Sequence, residues 1–308
     1  MNRLVRYWGW SKYIANRVIR RTNLLPEPLQ RLPGEQGNRY ITSLVAKEEP
    51  CLIGRVGSTE LRNLLYMRGI KFDPKAPHHL EIESGIFPGS MRTSDTFSDL
   101  MESAVREVDI LISFGWRGEG YLRNILKNET IISHPRALEP YLIPGQGWWH
   151  QLSSKRVLVV NSFASFIKER ITREVFENLW PKEKPYIDKI LPLSIDCVNT
   201  PYGWEKNTRS RYGTYVDVFE DLKVEISNKD YDIALIACGG YGLPLAAWVK
   251  QQGKQAVHLG GVLQVWAGIK GKRFMTQKPW VDIDKTYWVD APESTRPSST
   301  EFAVGSYW

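Results

Sequence analysis

Seven short apolar runs, most separated by amphipathic stretches of helical length, constrain this chain more than any other feature of its sequence. The runs are Cys51–Val56, Ile110–Phe114, Thr130–Ser133, Val157–Val160, Ile190–Ile195, Ile233–Ala237 and Ala256–Leu259. The stretches between them include Ser58–Arg68, Phe97–Val108, Ala164–Trp180, Tyr215–Ile226 and Pro244–Gln252. A strand that is apolar throughout must be covered on both faces, and parallel strands need crossovers that helices supply. The pattern predicts an α/β fold, a Rossmann-like three-layer sandwich with a mostly parallel sheet of about six or seven strands. A length of 308 residues is compatible with one domain of this kind, and no repeat or long linker divides it.

Residues 31–308 are therefore expected to form one α/β domain, with residues 1–30 as a basic amphipathic N-terminal helix. Leu4, Trp8, Ser11, Ala15 and Val18 fall three or four residues apart, flanked by Tyr7, Trp10 and Ile14. Arg3, Arg6, Lys12, Arg17, Arg20 and Arg21 interrupt any signal-peptide core, and Pro26 and Pro28 end the helix. Such a helix fits a membrane interface or the surface of its own domain. No apolar run reaches the roughly 18 residues a bilayer span needs. Cys51, Cys197 and Cys238 are too dispersed for a metal motif, and the apolar setting of Cys51 and Cys238 predicts buried reduced thiols in a cytosolic protein, peripheral at most to the inner membrane face.

A net charge of +7 favours phosphate-bearing partners. No helix-turn-helix, zinc-finger or RNA-binding signature accompanies it, so nucleic acid is not the expected partner. The 12 Trp and 14 Tyr suit sugar faces, but equally a core or a membrane interface.

In open parallel sheets, ligands bind beyond the carboxyl ends of the strands, so the residues after each apolar run are the candidates. The first is Gly54-Arg55-Val56-Gly57-Ser58-Thr59-Glu60. Gly57 permits close approach to a phosphate, Ser58 is read as the N-cap of the next helix, Arg55 suits a diphosphate, and Glu60 suits a general base or an ion ligand. On spacing alone, Glu60 could equally complement the helix dipole. The second is Cys238-Gly239-Gly240-Tyr241-Gly242-Leu243-Pro244, a glycine turn between strand and helix. It lacks both the GxGxxG order and a Walker lysine, and the competing reading is a turn that only lets helix and sheet pack. The third is His258-Leu259-Gly260-Gly261, followed by Lys270, Lys272 and Arg273. Fixed positive charge is what a departing diphosphate needs, although a basic run is also commonly a solvated loop. Ser113–Gly118 and Asn161-Ser162-Phe163 fit a pocket rim by position only.

These segments resemble a bacterial glycosyltransferase family related to the GT-D fold. The resemblance is strongest over Asp232–Phe274, extends to Arg55–Glu60, Arg156–Phe163 and Tyr287-Trp288-Val289, and covers most of the chain after residue 50. It implies a nucleotide-sugar donor engaged by an Arg-x-Gly-Asp-Gly-Glu segment whose Asp-x-Glu pair also meets a divalent metal, Mn or Mg. Here Glu60 matches the Glu, and Ser58 stands at the Asp position. A neutral hydroxyl is a poorer ligand, which weakens the implied metal dependence and leaves Lys and Arg to neutralise the diphosphate.

The expectation is a nucleotide-sugar-dependent glycosyltransferase of hexosyl type that acts on a glycan, plausibly lipid-linked, in surface polysaccharide biosynthesis. Glu60, Arg55, Lys272 and Arg273 would be catalytic. Gly57, Ser58, Gly239, Gly240, Tyr241, Gly260, Gly261 and Lys270 would hold a nucleotide such as UDP. The strand tips must then converge into one positively charged pocket. A non-catalytic nucleotide- or glycan-binding accessory protein is the rival, favoured by Ser58. An NAD-linked sugar-nucleotide modifier is disfavoured, because no acidic residue follows the glycine turn at the fingerprint distance.

Overall fold

The computed structural model describes residues 25–296. Seven strands, β1 (Leu52–Arg55), β2 (Ile110–Ile112), β3 (Ile131–Ser133), β4 (Arg156–Asn161), β5 (Ser194–Asn199), β6 (Ile233–Ala237) and β7 (Gln255–His258), form one sheet in the order β3-β2-β1-β7-β6-β4-β5. Every neighbouring pair is parallel. Successive side chains of a strand point to opposite faces, and the core divides accordingly. Leu158, Val160, Ala234 and Ile236 pack on one side with the helices Ser58–Met67, Met91–Arg106, Tyr215–Ser227 and Gly242–Gln251. Val157, Val159, Ile233 and Leu235 pack on the other with the helices Gly34–Ala46, Ala164–Arg170, Arg173–Leu179 and Val262–Trp266. This is the expected three-layer α/β sandwich.

The chain leaves β4 outward to the edge strand β5, but leaves β6 inward to β7. Adjacent strands whose connections diverge open a crevice at their carboxyl ends. Asn161 ties that crevice together: its Nδ2 donates to the Ala237 carbonyl at 2.5 Å, and its Oδ1 accepts from the Phe163 amide at 3.0 Å.

Some boundaries differ from the sequence reading. Only the end of the run Ile190–Ile195 is strand. Ile187 and Ile190 anchor a short helix in the core, and the strand begins at Ser194. Ala164–Trp180 is two helices, because Thr172 caps a second one by accepting from the Val175 amide at 3.4 Å. The helix read from Phe97 starts at Met91, capped by Ser90. Trp148, Trp149 and Trp266 are buried against one another, so these tryptophans serve the core. Cys51 and Cys238 are buried free thiols, and Cys197 is partly exposed. The helix expected over residues 1–30 lies outside the described residues except for 25–30, which are not helical. Among the described residues, no helix is long and apolar enough to cross a membrane.

Candidate active site

A cavity of about 290 Å³ lies at the carboxyl ends of β1, β7, β6, β4 and β5. Arg55, Gly57, Ser58, Thr59 and Glu60 line it from the end of β1, and His258, Gly260, Gly261 and Arg273 from β7 and the chain beyond it. Gly239, Gly240 and Tyr241 enter after β6, Asn161 to Phe163 after β4, and Pro201 to Trp204 after β5. The three glycine-bearing segments thus meet in one place, with Asn161-Ser162-Phe163 beside them. The segment Ser113–Gly118 stays outside the lining. The Phe114 ring backs the site at one remove, with its centroid 5.0 Å from the Arg55 guanidinium carbon.

Local backbone geometry explains how the charged groups are placed. Gly57, not Ser58, is the N-cap of Ser58–Met67, and no side chain caps that end. Glu60 therefore sits in the first turn with its carboxylate folded back over Gly57, where a β-carbon would lie 2.1 Å from Oε2. Gly260 adopts φ +56°, and the Arg55 guanidinium lies against it. At Gly261 a β-carbon would overlap Arg273 Nη2 at 1.6 Å. The glycine pair gives both guanidinium groups their places.

His258, 6% exposed, donates from Nδ1 to the Arg55 carbonyl at 3.1 Å. Burial, then the Arg55 charge, pushes its pKa down to about 3, so the ring is neutral. It fixes the backbone that presents Arg55.

The turn after β6 is more occupied than a phosphate cradle should be. Gly239 lies against the Ser84 carbonyl, and a β-carbon on Gly240 would stand 2.7 Å from Ile86. The Tyr241 hydroxyl donates to the Gly85 carbonyl at 2.9 Å. These residues line the cavity, but they also receive the protein segment Ser84–Ile86.

Lys270 and Lys272 do not line the cavity. Lys270 pairs with Asp290 at 3.0 Å and Lys272 is exposed, because the helix Lys272–Thr276 brings Arg273, not Lys272, to the cavity wall. Nor is the pocket uniformly positive: Arg55 and Arg273 share it with Glu60 and Glu83. Among the described residues no group of three or more His, Cys, Asp or Glu could hold a metal ion. Ser58, a neutral hydroxyl, stands beside Glu60 in the lining, whereas a divalent ion prefers charged oxygen ligands.

Two lining segments escaped the sequence reading. One is the end of the helix Ala76–Ser84, which brings Glu83; the other is the loop Pro201–Trp204, whose Tyr202 and Trp204 rings lie 5.1 Å apart. The helix was legible, since Pro77 stands in its first turn and Gly85 closes it in a left-handed conformation at φ +76°. The loop carries turn residues, Pro201 and Gly203, but it follows a strand that the sequence reading ends too early, at Ile195.

No protein-family model and no curated protein sequence matches the chain. Two solved structures are similar to it: a selenomethionine-substituted structure of domain of unknown function 1792, at 12% identity, and a structure described as the highly conserved domain of unknown function 1792 with a distinct glycosyltransferase fold, at 11%. Each comparison covers 83% of this chain and 84% of that chain with a TM-score of 0.44.

Proposed function

We propose that this chain is a glycosyltransferase that moves a sugar from a nucleoside-diphosphate donor to a glycan acceptor. The observation that carries the reading is the pair of guanidinium groups, Arg55 and Arg273, seated on Gly260 and Gly261 in a cavity at the carboxyl ends of a parallel sheet. Guanidinium forks match diphosphate oxygens, and fixed cations favour a step in which negative charge builds on a leaving group. In that step the acceptor hydroxyl oxygen bonds to the anomeric carbon as the bond from that carbon to the diphosphate breaks. The bonding electron pair departs with the diphosphate, which Arg55 and Arg273 neutralise, and a cavity carboxylate takes the hydroxyl proton. Glu60 and Glu83 are the carboxylates on hand. Gly57, Ser58 and the 239–241 turn complete the donor side, and Tyr202 and Trp204 offer a face for a sugar ring or a base. A hexosyl donor such as a UDP-sugar, a lipid-linked acceptor at the cytoplasmic membrane face and a place in surface polysaccharide assembly belong to the same proposal.

The accessory-protein reading has one observation of its own: Ser84–Ile86 already fills the turn at Gly239 and Gly240. Turnover separates the two. Incubation with a panel of UDP-, GDP- and dTDP-sugars should release nucleoside diphosphate, and Glu60→Gln should reduce that release while keeping the fold. Binding without release by the wild type would favour the accessory role, and undiminished release by Glu60→Gln would remove Glu60 from the chemistry.

A further inference from the structure

Glu60 and Glu83 are not equivalent. Glu60 occupies the first turn of Ser58–Met67, where helix amides support a negative charge, an ordinary structural use of glutamate. Among the described residues no hydrogen bond or ion pair orients its carboxylate. Glu83 occupies the last turn of Ala76–Ser84, where the helix carbonyls oppose a negative charge, while its pairing with His79 one turn earlier supports one. Its side chain is 41% exposed, yet both oxygens are held. Oε2 accepts from the Thr59 hydroxyl at 2.5 Å, and Oε1 meets His79 Nδ1 at 2.7 Å. An exposed glutamate normally samples many rotamers, and ordering one costs side-chain entropy. Two partners converging on this one keep it directed at the cavity.

The backbone is fixed as well. Gly85 packs on Gly203 so closely that a β-carbon at 203 would lie 1.9 Å from the Gly85 carbonyl oxygen, and Tyr241 holds that same oxygen. Glu83 thus stands on a segment clamped to the tips of β5 and β6 and bonded through Thr59 to the chain after β1. Preorganisation of this kind is what a proton-accepting group requires.

We propose that Glu83, held by Thr59 and His79, is the general base of the site and takes the proton of the attacking hydroxyl. Glu60 is left to the donor side. This inference rests on the transferase reading. The hydroxyl oxygen bonds to the anomeric carbon, its proton passes to a Glu83 oxygen, and the diphosphate leaves with the electrons of the broken bond.

The test is nucleoside-diphosphate release from the sugar-nucleotide panel, with water or a glycan as acceptor. Glu83→Gln should lower kcat about 100-fold or more with donor KM nearly unchanged. Formate should restore part of the rate to Glu83→Ala, which a merely structural role would not permit. Thr59→Val, a milder change if the glutamate variants fold poorly, should cost about fivefold in kcat, the equivalent of one hydrogen bond. A wild type that releases no diphosphate overturns the transferase reading and this inference with it. Wild-type turnover with Glu83→Gln equally active, or with only donor KM raised, overturns Glu83 alone.

Discussion

The Arg55 guanidinium rests against the α-carbon of Gly260, so that a β-carbon there would stand 2.9 Å from Cζ. Gly260 also holds φ +56°, a region that side-chain-bearing residues rarely adopt. Gly260→Ala should therefore both strain the backbone, costing about 1–3 kcal/mol, and push Arg55 from its place. Arg55→Ala should leave the fold intact and weaken nucleoside-diphosphate binding about 10- to 100-fold, as expected for a charge-assisted hydrogen-bonding pair. Calorimetric titration of both variants checks this. Unchanged affinity in Arg55→Ala would detach the arginine from the ligand.

The basic run after β7 is divided by its own helix. Arg273→Ala should reduce affinity for a nucleoside diphosphate by at least about tenfold, because it removes a cation from the cavity wall. Lys272→Ala and Lys270→Ala should stay within about twofold, as exposed charges do. A large loss in Lys272→Ala would place the diphosphate outside the cavity.

How much of this was legible follows from the kind of signal each element carries. The central strands and their glycine tips are read directly, because a buried parallel strand is a continuous apolar run, and β1, β4, β6 and β7 are of that kind. The edge strand β5 is half-exposed and includes Asp196, so its pattern blends with loop. Convergence of the 55–60, 239–241 and 260–261 segments was legible from strand–turn–helix logic. The occupants of those turns were not: that Ser84–Ile86 fills Gly239 and Gly240, or that Arg273 alone of three neighbouring cations turns inward, depends on tertiary packing. Glu83 was hidden for the same reason, since its partner Thr59 is 24 residues away.

His258 makes the fold sensitive to acid. Its folded pKa of about 3 lies below the unfolded value of 6.5, so between those limits the unfolded chain binds the extra proton. Stability is thus complete above pH 6.5 and declines as pH falls toward 3, by about 1.4 kcal/mol per unit from this group. Urea unfolding at pH 7 and pH 5 should show wild type losing about 2 kcal/mol more than His258→Gln. Equal losses would mean that the ring is not buried neutral.

Thiol reactivity tests the core. Burial raises the Cys51 pKa to about 12 and raises Cys238 as well, while Cys197 is partly exposed on the edge strand. An aromatic disulfide reagent should modify Cys197 in the folded protein and reach the other two only on unfolding. Fast reaction at Cys238 would contradict the packing after β6.

The central claim is that Arg55 and Arg273 grip a diphosphate between the tips of β1 and β7, and the thermal midpoint tests it most directly. Wild type, Arg55→Ala and Arg273→Ala should be melted with UDP, GDP and dTDP, with and without manganese. A ligand at 100 times its Kd adds about 2.7 kcal/mol of stability, enough to raise the midpoint by several degrees. At least one nucleoside diphosphate should raise the wild-type midpoint, without manganese, and each arginine variant should lose most of that rise. No rise with any of the three, or the same rise in both variants, would contradict the account.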